Sequence, residues 1–365
     1  MTRSSSSGGV LIAGGGLIGL SCAAALIERG ARVTLFSDRR PGEASPAAAG
    51  MLAPSVERAR GPAAQFAFAA RGRYPGWLAA LEEATGVRVP LLRNGILELA
   101  ISERDAERRR SEVLAPSVWL DARALGELEP ALSRASGAIF HPDDGAVDNV
   151  ALVDALEARV ESDRRARVVR RAVIEISVRD RRPWLRAADG TRHEGDVLVL
   201  ATGAWAAEIA GAPRSLPVSP LRGQMISLST APVSRVTYGR AGYIVPRAGG
   251  TIAGTTMEPV GFEVGTTADG IAEILRAATE ICPSLATAAP RGAWSGLRPV
   301  TPDLLPIIGP DPDVPTLLYA CGHSRNGILL APLTGDCIAA LATGGAPAHE
   351  LGAFSIERFR GAAEC

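Results

Sequence analysis

The fold is decided near the start of the chain by the stretch Val10-Leu-Ile-Ala-Gly-Gly-Gly-Leu-Ile-Gly19. Its four apolar residues predict a buried parallel strand that runs directly into a GxGxxG turn. In that turn Gly14 permits a tight bend, Gly16 lets backbone approach a pyrophosphate, and Gly19 lets a helix pack on the strand. Because a helix N-terminus placed there favours phosphate charge, the stretch predicts a dinucleotide-binding loop.

A βαβ unit surrounds this loop. Residues 17–29 are rich in Ala and Leu and predict a helix that stops at Gly30, and residues 32–36 predict the next strand. The order of strand, glycine turn, helix and strand within about 30 residues is typical of nucleotide-binding domains.

The residues after the second predicted strand are candidates for binding the ribose of the nucleotide. A carboxylate commonly accepts hydrogen bonds from the ribose hydroxyls at this place, and Asp38 lies 19 residues beyond Gly19. Ser37 occupies the more usual place and Arg39 follows. An ordinary exposed turn aspartate is the alternative interpretation.

The rest of the chain predicts an α/β fold, α+β overall. Apolar patterning predicts helices at 63–85, 103–114, 149–160 and, within a closing helix, 335–342. It predicts strands at 96–101, 167–178, 184–188, 196–201, 225–228, 242–246, 251–254 and 317–320. The strands between 225 and 254 are expected to form an antiparallel sheet.

Nucleotide-binding signals at the start, middle and end of the chain predict a discontinuous domain. We place it at residues 10–85, 145–215 and 290–365, and a substrate-binding domain at 86–144 and 216–289. Residues 1–9 are Ser/Gly-rich, lack the layout of a signal peptide and predict a disordered leader. The length of 365 residues also favours two domains.

Composition excludes several classes of function. The formal net charge is zero, so no general attraction to nucleic acid is expected, and no apolar run reaches the roughly 18 residues of a membrane span. Lysine is absent, so pyridoxal phosphate and Walker-lysine chemistry are excluded. The five cysteines form no CxxC pair and the four histidines no HxxxH pair. We therefore expect no metal and no disulfide framework, and a reducing cytoplasm fits best.

Several segments, taken in order, resemble the D-amino-acid oxidase family of FAD-dependent enzymes. The opening is carried by GGGLIGLSCAAAL (14–26), FSDRR (36–40) and AAAGMLAP (47–54). The later segments resemble the glycine oxidase branch, and they are ATGAW (201–205), LRGQ (221–224), GYIVPR (242–247), GLRPVTPD (296–303), PIIG (306–309) and GHSRNGILLAP (322–332). The resemblance covers nearly the whole chain.

This resemblance implies noncovalent FAD in a Rossmann-like domain of the glutathione-reductase type, beside an antiparallel-sheet substrate domain. A related branch attaches flavin through a cysteine near the GLRP-like segment, but residues 297–303 contain none. The residues expected to bind the cofactor are Gly14, Gly16, Leu17, Ile18, Gly19, Asp38, Arg39, Ala48, Ala49, Gly50, Met51, Val173, Gly203, Trp205, His323, Asn326, Gly327, Ile328 and Leu329.

The resemblance also implies a set of substrate-binding residues. Arg298 matches the arginine that binds the substrate carboxylate, for which its planar fork is suited. Tyr243 matches a tyrosine whose hydroxyl reaches the same carboxylate. Arg325 matches a second arginine, and Met257 a residue that lines the pocket. A surface arginine, a core tyrosine and a core methionine are the alternatives.

The implied reaction is oxidation of glycine, or of another small amino acid or amine, to an imine. Hydride would pass to flavin N5 with no obligatory protein acid or base, and oxygen would be reduced to hydrogen peroxide. The imine would feed thiamine thiazole synthesis, and the resemblance suggests a homo-oligomer. Alternatives are a D-amino-acid or sarcosine oxidase or dehydrogenase, a nicotinamide dehydrogenase and a noncatalytic dinucleotide-binding module. A family histidine just before the tyrosine is missing, since Ala241 and Gly242 precede Tyr243 here, and this leaves the choice of amine open.

Overall fold

The computed structural model describes residues 9–58, 60–178 and 182–360. The predicted leader, apart from Gly9, therefore lies outside the described residues. The helices of the described chain are α1 (Leu17–Glu28), α2 (Ala44–Ala47), α3 (Gly61–Thr85), α4 (Glu103–Ser111), α5 (Ala122–Leu128), α6 (Asn149–Glu161), α7 (Ala268–Ile281) and α8 (Gly327–Ala342).

The strands fall into four sheets. In chain order they are β1 (Val10–Ala13), β2 (Val33–Phe36), β3 (Met51–Leu52), β4 (Leu91–Leu92), β5 (Ile96–Ala100), β6 (Val118–Asp121), β7 (Gly137–His141), β8 (Gly145–Val147), β9 (Ala166–Val169), β10 (Val173–Ser177), β11 (Trp184–Ala187), β12 (Arg192–Glu194), β13 (Val197–Leu200), β14 (Ser219–Leu228), β15 (Val236–Tyr238), β16 (Tyr243–Arg247), β17 (Gly250–Gly254), β18 (Pro290–Val300), β19 (Ile307–Pro310) and β20 (Leu317–Cys321).

A six-stranded sheet in the order β19-β20-β13-β1-β2-β9 organises the predicted nucleotide-binding segments. Its strands are parallel except for β19. Side chains on β1 alternate between the two faces. Val10 and Ile12 pack into a core with α1, α3, α6 and α8, whereas Leu11 and Ala13 pack towards the antiparallel sheet β10-β11-β12. The sheet is thus covered on both faces, which confirms the predicted βαβ unit and fold class.

A second, eight-stranded sheet has the order β18-β14-β17-β16-β15-β5-β7-β6. All its pairs are antiparallel except β15 with β5. Residues of α5 and α7 pack on it in a separate apolar core. Strands β3, β8 and β4 form the fourth sheet, which is small. The expected antiparallel sheet between residues 225 and 254 is therefore present.

Two predicted elements differ from the structure, and one long strand is missing from the prediction. The helix expected at 103–114 ends at Ser111, since the arginine-rich run 108–110 is its last turn. The single strand expected at 167–178 is two strands, β9 and β10, which belong to different sheets. Strand β18 was not predicted because its prolines and glycines indicate turns.

The predicted domain boundaries stay a prediction, but sheet membership bears on them. Three sheets draw on the predicted nucleotide-binding segments: the six-stranded sheet, the β10-β11-β12 sheet that packs on it, and part of the β3-β8-β4 sheet. Their strands come from residues 10–85, 145–215 and 307–321. Strand β18, which we placed with them, instead pairs along its length with β14 of the eight-stranded sheet. Among the described residues, no helix combines the length and apolar character needed to cross a membrane.

Candidate active site

One large cavity lies at the carboxyl edge of the six-stranded sheet. The loops that follow β1, β2, β13 and β20 all contribute to its wall, as do residues of β14, β16 and β18 from the eight-stranded sheet. Its volume is about 560 Å³. Crevices at the carboxyl ends of parallel strands are where α/β sheets bind ligands.

The glycine turn forms one end of this cavity. Gly14 has φ of +108°, and a Cβ atom there would lie 2.3 Å from the carbonyl oxygen of Ala201. A Cβ at Gly19 would lie 1.8 Å from the Gly14 oxygen, so helix and strand touch there. At Gly16 the nearest atom is the Ser45 hydroxyl, at 3.4 Å. The turn is therefore closed on its protein side and open at Gly16, where α1 begins.

Most of the predicted cofactor-binding residues share this one cavity. Those that line it are Gly14, Gly16, Leu17, Ile18, Asp38, Ala48, Ala49, Gly50, Met51, Val173, Gly203, Trp205, His323, Asn326, Gly327 and Ile328. Gly19 and Leu329 do not line it, because both are buried in the core beneath. Arg39 does not line it either, since its guanidinium forms an ion pair with Glu157.

Asp38 lies on the wall of the cavity with its carboxylate partly exposed. It pairs with Arg40, whose guanidinium lies 5.3 Å over the ring of Trp205. Nearby, the hydroxyl of Thr202 is buried and has no hydrogen-bond partner within the described chain. A buried hydroxyl without a partner is costly, so this wall has polar capacity for a ligand.

The other long wall is the loop from Gly322 to the first turn of α8. His323 in this loop is buried and its Nε2 lies 3.1 Å from the hydroxyl of Thr334. Burial lowers the pKa of His323 to about 3, so the imidazole is neutral at physiological pH. The N-terminus of α8 opens into the cavity, and its free N–H groups favour negative charge there.

Arg298 brings a cation into the same cavity from β18. Its Nη1 donates to the carbonyl oxygen of Thr256 at 3.2 Å and its Nη2 donates to the Thr255 hydroxyl at 2.7 Å. It forms no ion pair in the part of the chain that the structure describes. Desolvation lowers the pKa of the guanidinium, but arginine stays charged in proteins. The site thus holds a fixed positive charge without a protein counter-ion.

Gly223 makes room for this guanidinium. A Cβ at that position would lie 2.2 Å from Nη1 and 2.4 Å from Nη2 of Arg298. Gly223 lies on β14, which pairs with β18, so the arginine crosses the neighbouring strand at its one position without a side chain. The family segment LRGQ was recognised in the sequence, but contact with Arg298 was not predictable from spacing.

Two tyrosines contribute hydroxyl groups near the arginines of the cavity. Tyr243 on β16 and Tyr238 on β15 both line the cavity, with ring centroids 5.5 Å apart. The Tyr243 hydroxyl donates to Sδ of Met225 at 3.4 Å, and that of Tyr238 to Sδ of Met51 at 2.9 Å. Burial raises the pKa of both phenols, so both remain protonated donors.

The last two predicted substrate-binding residues lie at the cavity wall as well. Met257 is 68% exposed, so it stands at the mouth rather than in the core. Arg325 is bound by Glu57, to which its Nε donates at 3.0 Å. Glu57 also lines the cavity and was not among the predicted residues, because no motif surrounds it.

Comparisons with known proteins agree with this architecture. The FAD dependent oxidoreductase (DAO) family matches residues 9–341. A glycine oxidase from Geobacillus kaustophilus is 33% identical, covering 96% of this chain and 97% of its own length. The crystal structure of glycine oxidase from that organism superimposes with a TM-score of 0.90 and 32% identity, over 96% of this chain and 98% of that one.

A bifunctional protein ThiO/ThiG from Synechocystis sp. is 36% identical over 96% of this chain. The chain spans 54% of that protein, about half the length of the bifunctional relatives it matches. The family match together with the fold confirms the predicted cofactor, FAD. The chain belongs to the DAO family of FAD-dependent oxidoreductases.

Proposed function

We propose that this chain oxidises glycine, or a similarly small amine-bearing acid, to its imine with noncovalently bound FAD. The observation that carries this proposal is Arg298, which lies in the same cavity as the glycine turn and forms no ion pair with any carboxylate of the described residues. Such an arginine is suited to a substrate carboxylate, which it would bind through two parallel hydrogen bonds. The names of the relatives, glycine oxidase and ThiO, point to the same substrate class.

The residues present fit FAD. The open backbone at Gly16 would hold the pyrophosphate, Asp38 the ribose and Val173 the adenine. The backbone of the loop that starts at Gly322 would face the flavin ring, with α8 behind it. When bound, FAD would supply the oxidising power as the acceptor of a hydride from the substrate carbon, and oxygen would take up both electrons to give hydrogen peroxide.

The protein residues then act by orientation and electrostatics. Arg298 and the hydroxyl of Tyr243 would fix the carboxylate and thereby the carbon that loses hydride. No acid or base is required of the protein. His323 is neutral and held by Thr334, and Glu57 is occupied by Arg325.

The proposal extends to the setting of the enzyme. The imine would feed thiamine thiazole synthesis, as the ThiO name of relatives suggests, and oxygen would be the electron acceptor. We also propose a cytoplasmic, homo-oligomeric enzyme, a location consistent with the buried, unpaired cysteines of the described residues.

The test is a panel of amines assayed for peroxide under air with the purified yellow protein. We expect glycine to give the highest kcat/KM. Acid or heat should release intact FAD, and flavin retained by the denatured chain would exclude noncovalent binding.

A second candidate, oxidation of a D-amino acid or sarcosine, is favoured by one observation. Ala241 and Gly242 both line the cavity beside Tyr243, so small side chains border the substrate there. A higher kcat/KM for D-alanine or sarcosine than for glycine would select this candidate. Absence of colour and of turnover would instead indicate a noncatalytic nucleotide-binding module.

A further inference from the structure

The ion pair between Glu57 and Arg325 is unusual because both partners face the proposed substrate cavity. The Glu57 side chain is only 17% exposed, whereas that of Arg325 is 49% exposed. One carboxylate oxygen of Glu57 accepts from both Nε and Nη2 of the arginine. A carboxylate that faces a site for an anionic substrate has an electrostatic cost, so its presence calls for an explanation.

Glu57 is held in place by the chain around it. Its backbone N–H donates to the Ala53 carbonyl at 3.1 Å. The two residues before it, Ser55 and Val56, donate their N–H groups at 3.0 and 3.3 Å to one carboxylate oxygen of Asp144. Asp144 is fully buried. This anchoring predicts that the Glu57 carboxylate stays opposite Arg325.

Five arginines line the cavity, and two of them, Arg298 and Arg325, differ in available charge. Arg298 donates only to neutral oxygens, so its charge is free for a ligand. Arg325 is compensated by Glu57. Desolvation is the main cause of the lowered pKa of Arg298, and Tyr243 opposes it. The positive charge of Arg325 lowers this pKa further. Of these two guanidiniums, only that of Arg298 is left without a carboxylate partner.

We propose that Glu57 is a specificity-determining residue, which restricts this enzyme to amines with a single carboxylate by occupying Arg325. The inference rests on the proposed function. A second substrate carboxylate near Arg325 would face the Glu57 charge and find this guanidinium already paired, and both effects disfavour it. Removal of the Glu57 charge would open Arg325 to a dicarboxylate amine.

The matched substrates are sarcosine and iminodiacetate. Both are glycine with a single substituent on nitrogen, which is a methyl group in sarcosine and a carboxymethyl group in iminodiacetate. We expect Glu57→Gln to raise the ratio of kcat/KM for iminodiacetate to kcat/KM for sarcosine about tenfold, a size set by one charge-assisted hydrogen bond at a half-exposed arginine. Glu127→Gln, which breaks the exposed ion pair with Arg123, should leave the ratio unchanged.

The double variant Glu57→Gln/Arg325→Gln separates the role of the arginine from a general change of shape. It should lose the gain, because the guanidinium that Glu57→Gln releases is then absent. An unchanged ratio in flavin-loaded Glu57→Gln overturns the inference, and so does a raised ratio that persists in the double variant. If the wild type gives no peroxide with any amine, the proposed function itself has failed.

Calorimetric titration provides a readout that needs no turnover. The wild-type protein should bind malonate, with two carboxylates, no more tightly than acetate, with one. Glu57→Gln should bind malonate about tenfold more tightly than the wild type does, again on the scale of one added charged hydrogen bond. Wild-type binding of malonate more than tenfold tighter than acetate would overturn the inference.

Discussion

At the scale of single residues, Arg298 has the clearest role. Its guanidinium is fixed by the Thr256 carbonyl and the Thr255 hydroxyl, and it has room only because residue 223 is glycine. Sequence resemblance predicted the arginine but not this support. Arg39 shows the opposite case: it was expected to touch the cofactor, and the structure pairs it with Glu157 instead.

Replacement of Arg298 by lysine should damage turnover of carboxylate substrates although the charge is kept. Lysine loses the two-pronged geometry, which should cost about 2–4 kcal/mol, or roughly 30- to 1000-fold in kcat/KM for glycine. FAD content should stay normal. Equal losses for amines with and without a carboxylate would show that Arg298 serves the fold or the flavin instead.

Replacement of Gly223 by alanine should displace the Arg298 guanidinium without unfolding the sheet. The new Cβ would collide with the end of a flexible side chain rather than with backbone. We expect acetate to bind at least about tenfold more weakly by calorimetry, the size of one misplaced charged hydrogen bond. Gly292→Ala, also in this strand pair, has only an ordinary 3.5 Å contact and is the control. Equal affinities in both variants would show that the arginine does not depend on Gly223.

His323 should make the protein less stable as the pH falls. Its pKa is lowered to about 3 in the folded state, so between the ordinary value of 6.5 and about 3 the unfolded chain binds the extra proton. The free energy of unfolding then falls with decreasing pH by at most about 1.4 kcal/mol per pH unit from this group. Urea unfolding measured across this pH window should show that the free energy of unfolding of His323→Gln changes less steeply with pH than that of the wild type. Identical slopes would mean that His323 is protonated in the native state.

At the scale of elements, strand ends carry the site. The sequence was sufficient for β1, α1 and β2, because glycines, apolar runs and a helix stop all agree there. It was insufficient for β18. This 11-residue strand contains residue types that usually indicate turns, namely Pro290, Gly292, Gly296 and Pro299. That strand forms through pairing with β14, which is 62 or more residues away in sequence, so no local pattern could reveal it.

Two glycines inside helices should respond oppositely to alanine. A Cβ at Gly72 in α3 meets nothing within 4 Å, so Gly72→Ala should stabilise the protein by about 0.5–1 kcal/mol. A Cβ at Gly335 in α8 would lie 2.7 Å from the Ser21 carbonyl of α1, so Gly335→Ala should destabilise it by about 1–3 kcal/mol. Urea midpoints measure both. Shifts of the same sign would contradict the described contact between α1 and α8.

At the scale of the whole molecule, the cavity joins two sheets of different character. The six-stranded sheet contributes backbone-rich loops suited to a nucleotide, and the eight-stranded sheet contributes the side chains Arg298 and Tyr243. Family membership indicates FAD, and under the proposed function a small amine with a carboxylate would bind beside it. The central claim is that these two ligands meet in this cavity.

Anaerobic addition of glycine to the purified, FAD-loaded protein tests that claim most directly, with the visible absorbance of the flavin as the signal. The account predicts that glycine bleaches the flavin, that methylamine, which lacks a carboxylate, does not, and that oxygen restores the colour. Flavin that stays oxidised with glycine and with every other small amino acid would contradict the account.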